Sequence, residues 1–320
     1  MTHAPPSRPP GKPLNRPGRS RLSAWLELLR VGNLLTVPGD PIAGFLLAAA
    51  WGLGASRPGL RLALAASVSL MLYAAGLLWN DWFDLAEDRR ERPGRPLPRQ
   101  AVRPGIVAVV ANVLIALAVA TAAVAGTTTL YVALALGAAI LAYDAGAKRI
   151  PVVGPITMGL CRTASVLLGA AAFGKAGLIA PPVIACAAGA GAYIAAVTVL
   201  AAGETRPTRV RGKCLLVTGA LGTWCVALVW TVPPASATAR WALTATCAAA
   251  AVYLVARMAR LGASPGAADV QQTIGTLIRG LVLLQAAAVI STGPVGAGVA
   301  AGLGGAFVLS TLLGRRFAAS

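Results

Sequence analysis

Long apolar runs separated by short polar stretches make up most of the chain. A helix crosses a bilayer with about 20 largely apolar residues, and windows of that size pick out runs at 34–55, 61–80, 104–125, 128–145, 152–173, 180–202, 214–232, 239–260 and 270–292. A weaker tenth run follows at 295–313. Alanine, leucine and glycine dominate these runs, a composition that lets helices pack closely in lipid. The strands of a membrane β-barrel would instead show segments of about 10 residues with every second one apolar. The pattern therefore predicts an all-α, polytopic membrane bundle.

Composition agrees. The 320 residues are 57% hydrophobic and 12% charged, with a mean hydropathy of +0.73. Such a chain is too apolar for a soluble globule and too evenly apolar for a single anchor. The net charge of +18 would suit a nucleic-acid partner, but the cations form no patch interleaved with aromatics. Most of the 28 sit in the N-terminal stretch and in the loops after the second, fourth, sixth and eighth runs, whereas the odd loops hold only Arg57, Arg61, Lys175 and Arg240. By the positive-inside rule the N-terminus and the even loops are cytoplasmic. Membrane topology thus accounts for the charge, and no nucleic-acid binding is expected. Nine spans would leave Arg315 and Arg316 outside, whereas ten would bring them in.

Residues 1–20 are rich in Pro and Arg, contain no acid and lack the apolar core of a signal peptide. The expectation is a disordered basic cytosolic tail over 1–22, no cleaved leader, and one membrane domain over 23–320. The five cysteines lie in or at the edge of apolar runs without CxxC or CxxH spacing, so neither a structural zinc site nor a disulfide framework is expected.

Half of the 10 carboxylates fall in one short stretch: Asp81, Asp84, Glu87, Asp88 and Glu91. The run Asn80-Asp81-Trp82-Phe83-Asp84-Leu85-Ala86-Glu87-Asp88 directly continues an apolar helix, so Asn80, Asp84 and Asp88 stand at i, i+4 and i+8 on one face, with Asp81 beside them. Oxygen ligands one turn apart suit a hard cation such as Mg²⁺, which is usually shared with substrate phosphate oxygens. Behind them Arg89-Arg90-Glu91-Arg92-Pro93-Gly94-Arg95-Pro96 must break the helix, and its arginines can neutralise a polyanion. The bland alternative is a solvated acidic and basic loop. Against it, the carboxylates begin inside the helix, led by Asn80 at helical spacing.

The run Asn80-Asp81-x-x-Asp84-x-x-x-Asp88, followed by Arg-Pro-x-Arg-Pro-Leu-Pro, resembles the first aspartate motif of the UbiA family of intramembrane prenyltransferases. Arg30-x-x-Asn33 with Pro38, Pro41 and Gly44 resembles the family's opening helix, and Tyr143 with Lys148-Arg149 resembles the motif ending its fourth helix. The resemblance covers roughly residues 25–215. It implies about nine spans around a central cavity, Mg²⁺ as cofactor, and a prenyl diphosphate plus a small aromatic or other acceptor as partners within membrane lipid. The family's second aspartate pair, expected after the sixth helix, is missing: the stretch Ala202-Gly203-Glu204-Thr205-Arg206 offers one carboxylate. Together with Tyr143-Asp144-Ala145, Gly159-Leu160-Cys161-Arg162 and Gln271-Gln272, this makes the chain most similar to the EboC-like branch. That branch implies a bacterial inner membrane and secondary-metabolite chemistry.

On this resemblance Asn80, Asp84 and Asp88 would hold the metal, and Asp84, Asp88, Lys148 and Arg149 would carry catalysis by stabilising charge on the diphosphate as the allylic C–O bond ionises. Arg30, Asn33, Asp81, Tyr143, Asp144, Glu204 and Arg206 would contact substrates. Asp144 has a structural alternative, a pairing with Lys148 at i+4. Asp40, Arg162 and Arg279 lie at membrane depth and need partners, and Asp40 with Arg162 is one candidate pair. The alternative function is a degenerate relative that binds or transports a lipid or secondary-metabolite precursor without transfer, the missing second pair being its mark.

Overall fold

A computed structural model of the protein describes residues 21–202, 210–261 and 265–316. Every regular element among them is helical. Ten helical segments are long and apolar enough to cross a membrane, and they serve here as the first to tenth spans: Val31–Ala50, Pro58–Phe83, Pro104–Ala125, Thr127–Ala145, Val153–Leu178, Pro181–Ala201, Val210–Thr231, Ala237–Ala259, Ala267–Ile290 and Pro294–Leu313. The weak tenth run thus joins the nine expected, its glycines carried without breaking the helix. Ser310 near its end donates to the Gly32 carbonyl at 2.5 Å. The close of the tenth span therefore lies at the same end of the bundle as the start of the first, as an even number of crossings requires. The tail expected over 1–22 falls outside the described residues up to position 20, and a helix over Arg21–Leu28 occupies its last two positions.

Local chemistry sets the boundaries. Pro58, Pro104, Pro181 and Pro294 each open a span, where a missing N–H costs nothing and φ is already helical. The first span is broken: Val31–Leu34 and Gly39–Ala50 are separate helical pieces, divided ahead of Pro38 and Pro41. The fifth narrows to a 3-10 turn at Ala171–Phe173.

Lipid offers no hydrophobic drive between helices, so small residues permit contact and van der Waals packing holds it. A side chain on Gly169 would collide with the Pro41 carbonyl, and one on Gly44 with the Val166 carbonyl, which fixes the first span against the fifth. A Cβ on Gly159 would come 2.6 Å from the Gly191 carbonyl, which fixes the fifth against the sixth. The ninth span is the most enclosed and the third, fourth and tenth are peripheral. One core gathers Trp224, Leu243, Leu254, Leu277 and Leu281. A second joins Val68, Leu72, Leu136 and Leu168, and a third packs Leu28, Leu78, Leu97 and Val107 beneath the acidic run. At the opposite end Arg61 donates to the Ala172 carbonyl at 2.6 Å and Arg240 to that of Val229 at 2.8 Å. Trp230 and Trp241 stand exposed at span ends, as interfacial aromatics do.

Candidate functional site

The acidic run begins on the second span and crosses a joint. The span closes at Phe83, Asp84 follows, and a short helix covers Leu85–Glu91. The backbone ladder nevertheless continues: the Asp84 amide donates to the Asn80 carbonyl at 3.0 Å and the Asp88 amide to that of Asp84 at 2.8 Å. Asn80, Asp84 and Asp88 therefore stack one turn apart, as their spacing predicts.

Their side chains are divided among different cations. Lys148 Nζ lies 2.6 Å from Asp84 Oδ1 and donates to Asn80 Oδ1 at 3.0 Å. Arg149 reaches the same acidic edge, 4.0 Å from Asp84 and 3.9 Å from Glu87. Arg30 Nη2 holds Asp81 Oδ1 at 3.0 Å. Asp88 is taken by Arg95, whose Nη1 lies 2.8 and 3.0 Å from its two oxygens. Arg99 binds Glu27 at 3.1 Å. The loop after the acidic run folds back because Leu97 is buried in the third core, and its arginines Arg95 and Arg99 engage the protein's own acids.

Two local breaks bring the cations in. Arg30 sits between two helices in the left-handed region at φ 43°, a conformation uncommon for a residue with a Cβ. The fourth span stops at Ala145 and the chain continues through Gly146 into a 3-10 turn over Ala147–Arg149. That turn takes Lys148 off the helical stripe of Asp144. The i+4 pairing of Asp144 with Lys148 is therefore not formed: Lys148 serves Asn80 and Asp84, and Asp144 Oδ2 is buried with no hydrogen-bond partner.

Below this edge lies a cavity of about 160 Å³ lined by the first, second, fourth and fifth spans. Arg30, Asn80, Tyr143 and Asp144 stand at one end; Ser69, Tyr73, Cys161, Arg162 and Ser165 lie toward the other, with walls of Leu77, Leu136, Ile140 and Met158. Ser69 precedes Asn80 by about three helical turns, so the cavity reaches ~16 Å along the second span. Deeper in, Arg162 Nη1 binds Asp40 Oδ2 at 2.6 Å, and Asp40 Oδ1 accepts from Gln285 Nε2 at 2.6 Å. The Arg162 guanidinium also sits 5.5 Å from the centre of the Tyr73 ring. Ser69 and Ser165 share a hydrogen bond of 2.8 Å.

Of the residues singled out in the sequence, Arg30, Asn80, Asp81, Asp84, Lys148 and Arg149 meet at one edge, and Tyr143 and Asp144 line the cavity beneath it. Asp88 adjoins them but faces Arg95. Asn33 does not line the cavity; its carbonyl accepts the Thr36 hydroxyl at 2.7 Å. Glu204 and Arg206 lie outside the described residues. Asp40 and Arg162 form the pair considered from sequence, while Gln285, Ser69, Tyr73 and Ser165 escaped that reading. Three of the cavity positions had a signal: Ser69, Tyr73 and Gly76 precede Asn80 at three- and four-residue steps on one helical face.

A model of the UbiA prenyltransferase family matches residues 42–275. The digeranylgeranylglyceryl phosphate synthase of Haloquadratum walsbyi is 31% identical over 162 residues, 49% of this chain and 54% of that protein. The Pyrococcus abyssi protein of the same name is 30% identical over 160 residues, 49% of this chain and 55% of its own length. The chain thus spans about half the length of the curated relatives it matches. Among solved structures, a UbiA homolog from Archaeoglobus fulgidus bound to DMAPP and Mg²⁺ aligns with a TM-score of 0.59 at 15% identity, covering 82% of this chain and 98% of that one. The apo UbiA homolog from Aeropyrum pernix K1 gives 0.59 at 16%, covering 80% and 96%. At such identities the structures establish a shared fold, and the family match over most of the sequence establishes the lineage: the chain belongs to the UbiA prenyltransferase family.

Proposed function

We propose that this protein transfers a prenyl group from a Mg²⁺-bound prenyl diphosphate to an aromatic or other small acceptor within the membrane. The observation that carries the reading is the convergence of Asn80 Oδ1 and Asp84 Oδ1 on a single cation, Lys148 Nζ, at 3.0 and 2.6 Å, beside an apolar cavity. Two hard oxygen donors aimed at one positive point are a donor set that fits Mg²⁺, with the ammonium standing where a cation is wanted. Asn80 and Asp84 would hold the metal, and Asp88 would join when Arg95 turns to the substrate. When bound, the metal supplies charge stabilisation to the leaving diphosphate. Lys148 and Arg149, displaced from the carboxylates, would take the remaining phosphate oxygens, and Arg30 and Tyr143 would border the reacting end. The relatives' names and the Archaeoglobus homolog's bound DMAPP and Mg²⁺ support the same substrate class.

Tyr143-Asp144-Ala145 and the single carboxylate Glu204 where a pair is the rule favour the EboC-like branch, and with it a bacterial inner membrane and secondary-metabolite chemistry. The cation-rich even loops favour a cytoplasmic N-terminus, with residues 1–22 as a tail and 23–320 as the catalytic domain. The alternative is a carrier without chemistry, whose mark in the sequence is the single carboxylate Glu204 where the resemblance calls for a pair.

Diphosphate release by the purified protein in lipid, across prenyl diphosphates of several lengths, separates the two. Transfer chemistry predicts Mg²⁺-dependent release that Asp84→Ala abolishes. Mg²⁺-dependent binding of an unconsumed diphosphate, lost in Asp84→Ala, would reject the transferase and leave the carrier.

A further inference from the structure

We infer that Asp144 seats the acceptor, and that the acceptor is a ring-sized, neutral or cationic molecule presenting an N–H or O–H donor. The inference rests on the transferase reading and names its second substrate by chemistry. Asp144 is 4% exposed, borders the cavity, and has a buried Oδ2 with no partner. The other charges that border the cavity are answered within the protein, Arg30 by Asp81 and Arg162 by Asp40. Lys148, the nearest cation in sequence, is held by Asp84 and Asn80. A buried carboxyl oxygen without a donor is costly, and a ligand donor in the cavity removes that cost.

Gly76 lets the fourth span come close, since a Cβ there would come 2.7 Å from Ile140 Cγ2 and 4.0 Å from Asp144 Oδ2. The open space is the cavity that Asp144 borders. A volume of about 160 Å³ matches a single ring, since an apolar cavity of about 150 Å³ admits benzene. It is small for a long lipid. An anionic head such as a glyceryl phosphate would meet a carboxyl oxygen that no protein donor caps, so this chain should differ in acceptor from the synthases it matches. In transfer, the allylic C–O bond breaks and its electron pair leaves with the diphosphate. A bond forms between the prenyl carbon and the acceptor's nitrogen, oxygen or ring carbon, and the proton the acceptor loses passes to Asp144.

The test uses the full chain in lipid nanodiscs, wild type beside the isosteric Asp144→Asn. Binding of benzylamine, phenol and benzoate is measured by equilibrium dialysis, with geranyl diphosphate binding in Mg²⁺ and the thermal midpoint as companion readouts. Benzylamine and phenol should bind wild type at least tenfold more tightly than benzoate. Asp144→Asn should weaken benzylamine at least tenfold, leave geranyl diphosphate binding within twofold, and keep or raise the midpoint, because a costly buried charge has gone. Equal benzylamine binding by the two proteins, benzoate binding as tight as benzylamine, or a midpoint lowered by several degrees would overturn the inference. If wild type releases no diphosphate yet binds benzylamine through Asp144, the donor-binding site at Asp144 stands, while the transferase reading falls and the acceptor role falls with it.

Discussion

Asp40→Ala is the substitution whose cost the structure specifies most closely. Asp40 is fully buried in the first span and holds Arg162 of the fifth at 2.6 Å and Gln285 of the ninth at 2.6 Å. Two unit charges at that separation attract by ~6 kcal/mol at an effective dielectric of about 20. Desolvating both charges offsets much of this, so the intact pair adds little net stability. Removing one partner is another matter, because the guanidinium stays buried without a counter-charge, at about 3–5 kcal/mol. Gln285 Nε2 would keep only the Thr36 carbonyl, at 3.3 Å. Arg162→Ala should cost a similar amount by stranding the carboxylate. The double variant Asp40→Ala/Arg162→Ala should cost less than the two singles summed, with a coupling of about 2 kcal/mol or more. Reversible unfolding in lipid bicelles measures all four corners of the cycle. Single losses under ~1 kcal/mol, or effects that add within about 0.5 kcal/mol, would refute a desolvated, mutually dependent pair.

Lys148→Met removes the cation shared by Asn80 and Asp84, and without divalent ions it should cost about 1–3 kcal/mol. Mg²⁺ titrated against the thermal midpoint should then stabilise the variant more than wild type, because the ion no longer competes with the ammonium; equal shifts would show that the metal binds elsewhere. Gly169→Val should cost ~3 kcal/mol or more or prevent folding, since its Cβ would strike the Pro41 carbonyl. Gly222→Ala on the open seventh span, where a Cβ meets nothing within 4 Å, should stay within about 1 kcal/mol of wild type. Equal unfolding midpoints for the two variants would mean that the first and fifth spans are not in the close contact described.

The spans were legible because lipid imposes a coarse rule, about 20 apolar residues per crossing, and this chain obeys it with few interruptions. The break in the first span was harder, since Pro38-Gly39-Asp40-Pro41 lies inside a stretch that is still apolar on average. At the site, the stripe of Asn80, Asp84 and Asp88 was readable because consecutive turns put it on one face whatever the fold does elsewhere. Which cation answers which acid was not. That depends on where a helix ends: one 3-10 turn after Ala145 diverts Lys148 from Asp144 to Asp84, and burial of Leu97 carries Arg95 to Asp88. Sequence spacing assigns partners only while a helix continues.

Gln285 escaped for a different reason, being 245 residues from Asp40 with no local pattern to mark it. Its approach is permitted by Gly39, where any side chain would collide with the Gln285 amide. The same two kinds of break that hid the partners also shape the chemistry. A helix end turns Lys148 to Asn80 and Asp84 and leaves Asp144 Oδ2 without a hydrogen bond, and a residue without a side chain at Gly76 lets Ile140 of the fourth span pack against the second. Polar groups at membrane depth are retained only where something answers them. In this bundle Asp40, Asp81, Asp84 and Asp88 are answered by the protein, and Asp144 is left for what enters the cavity.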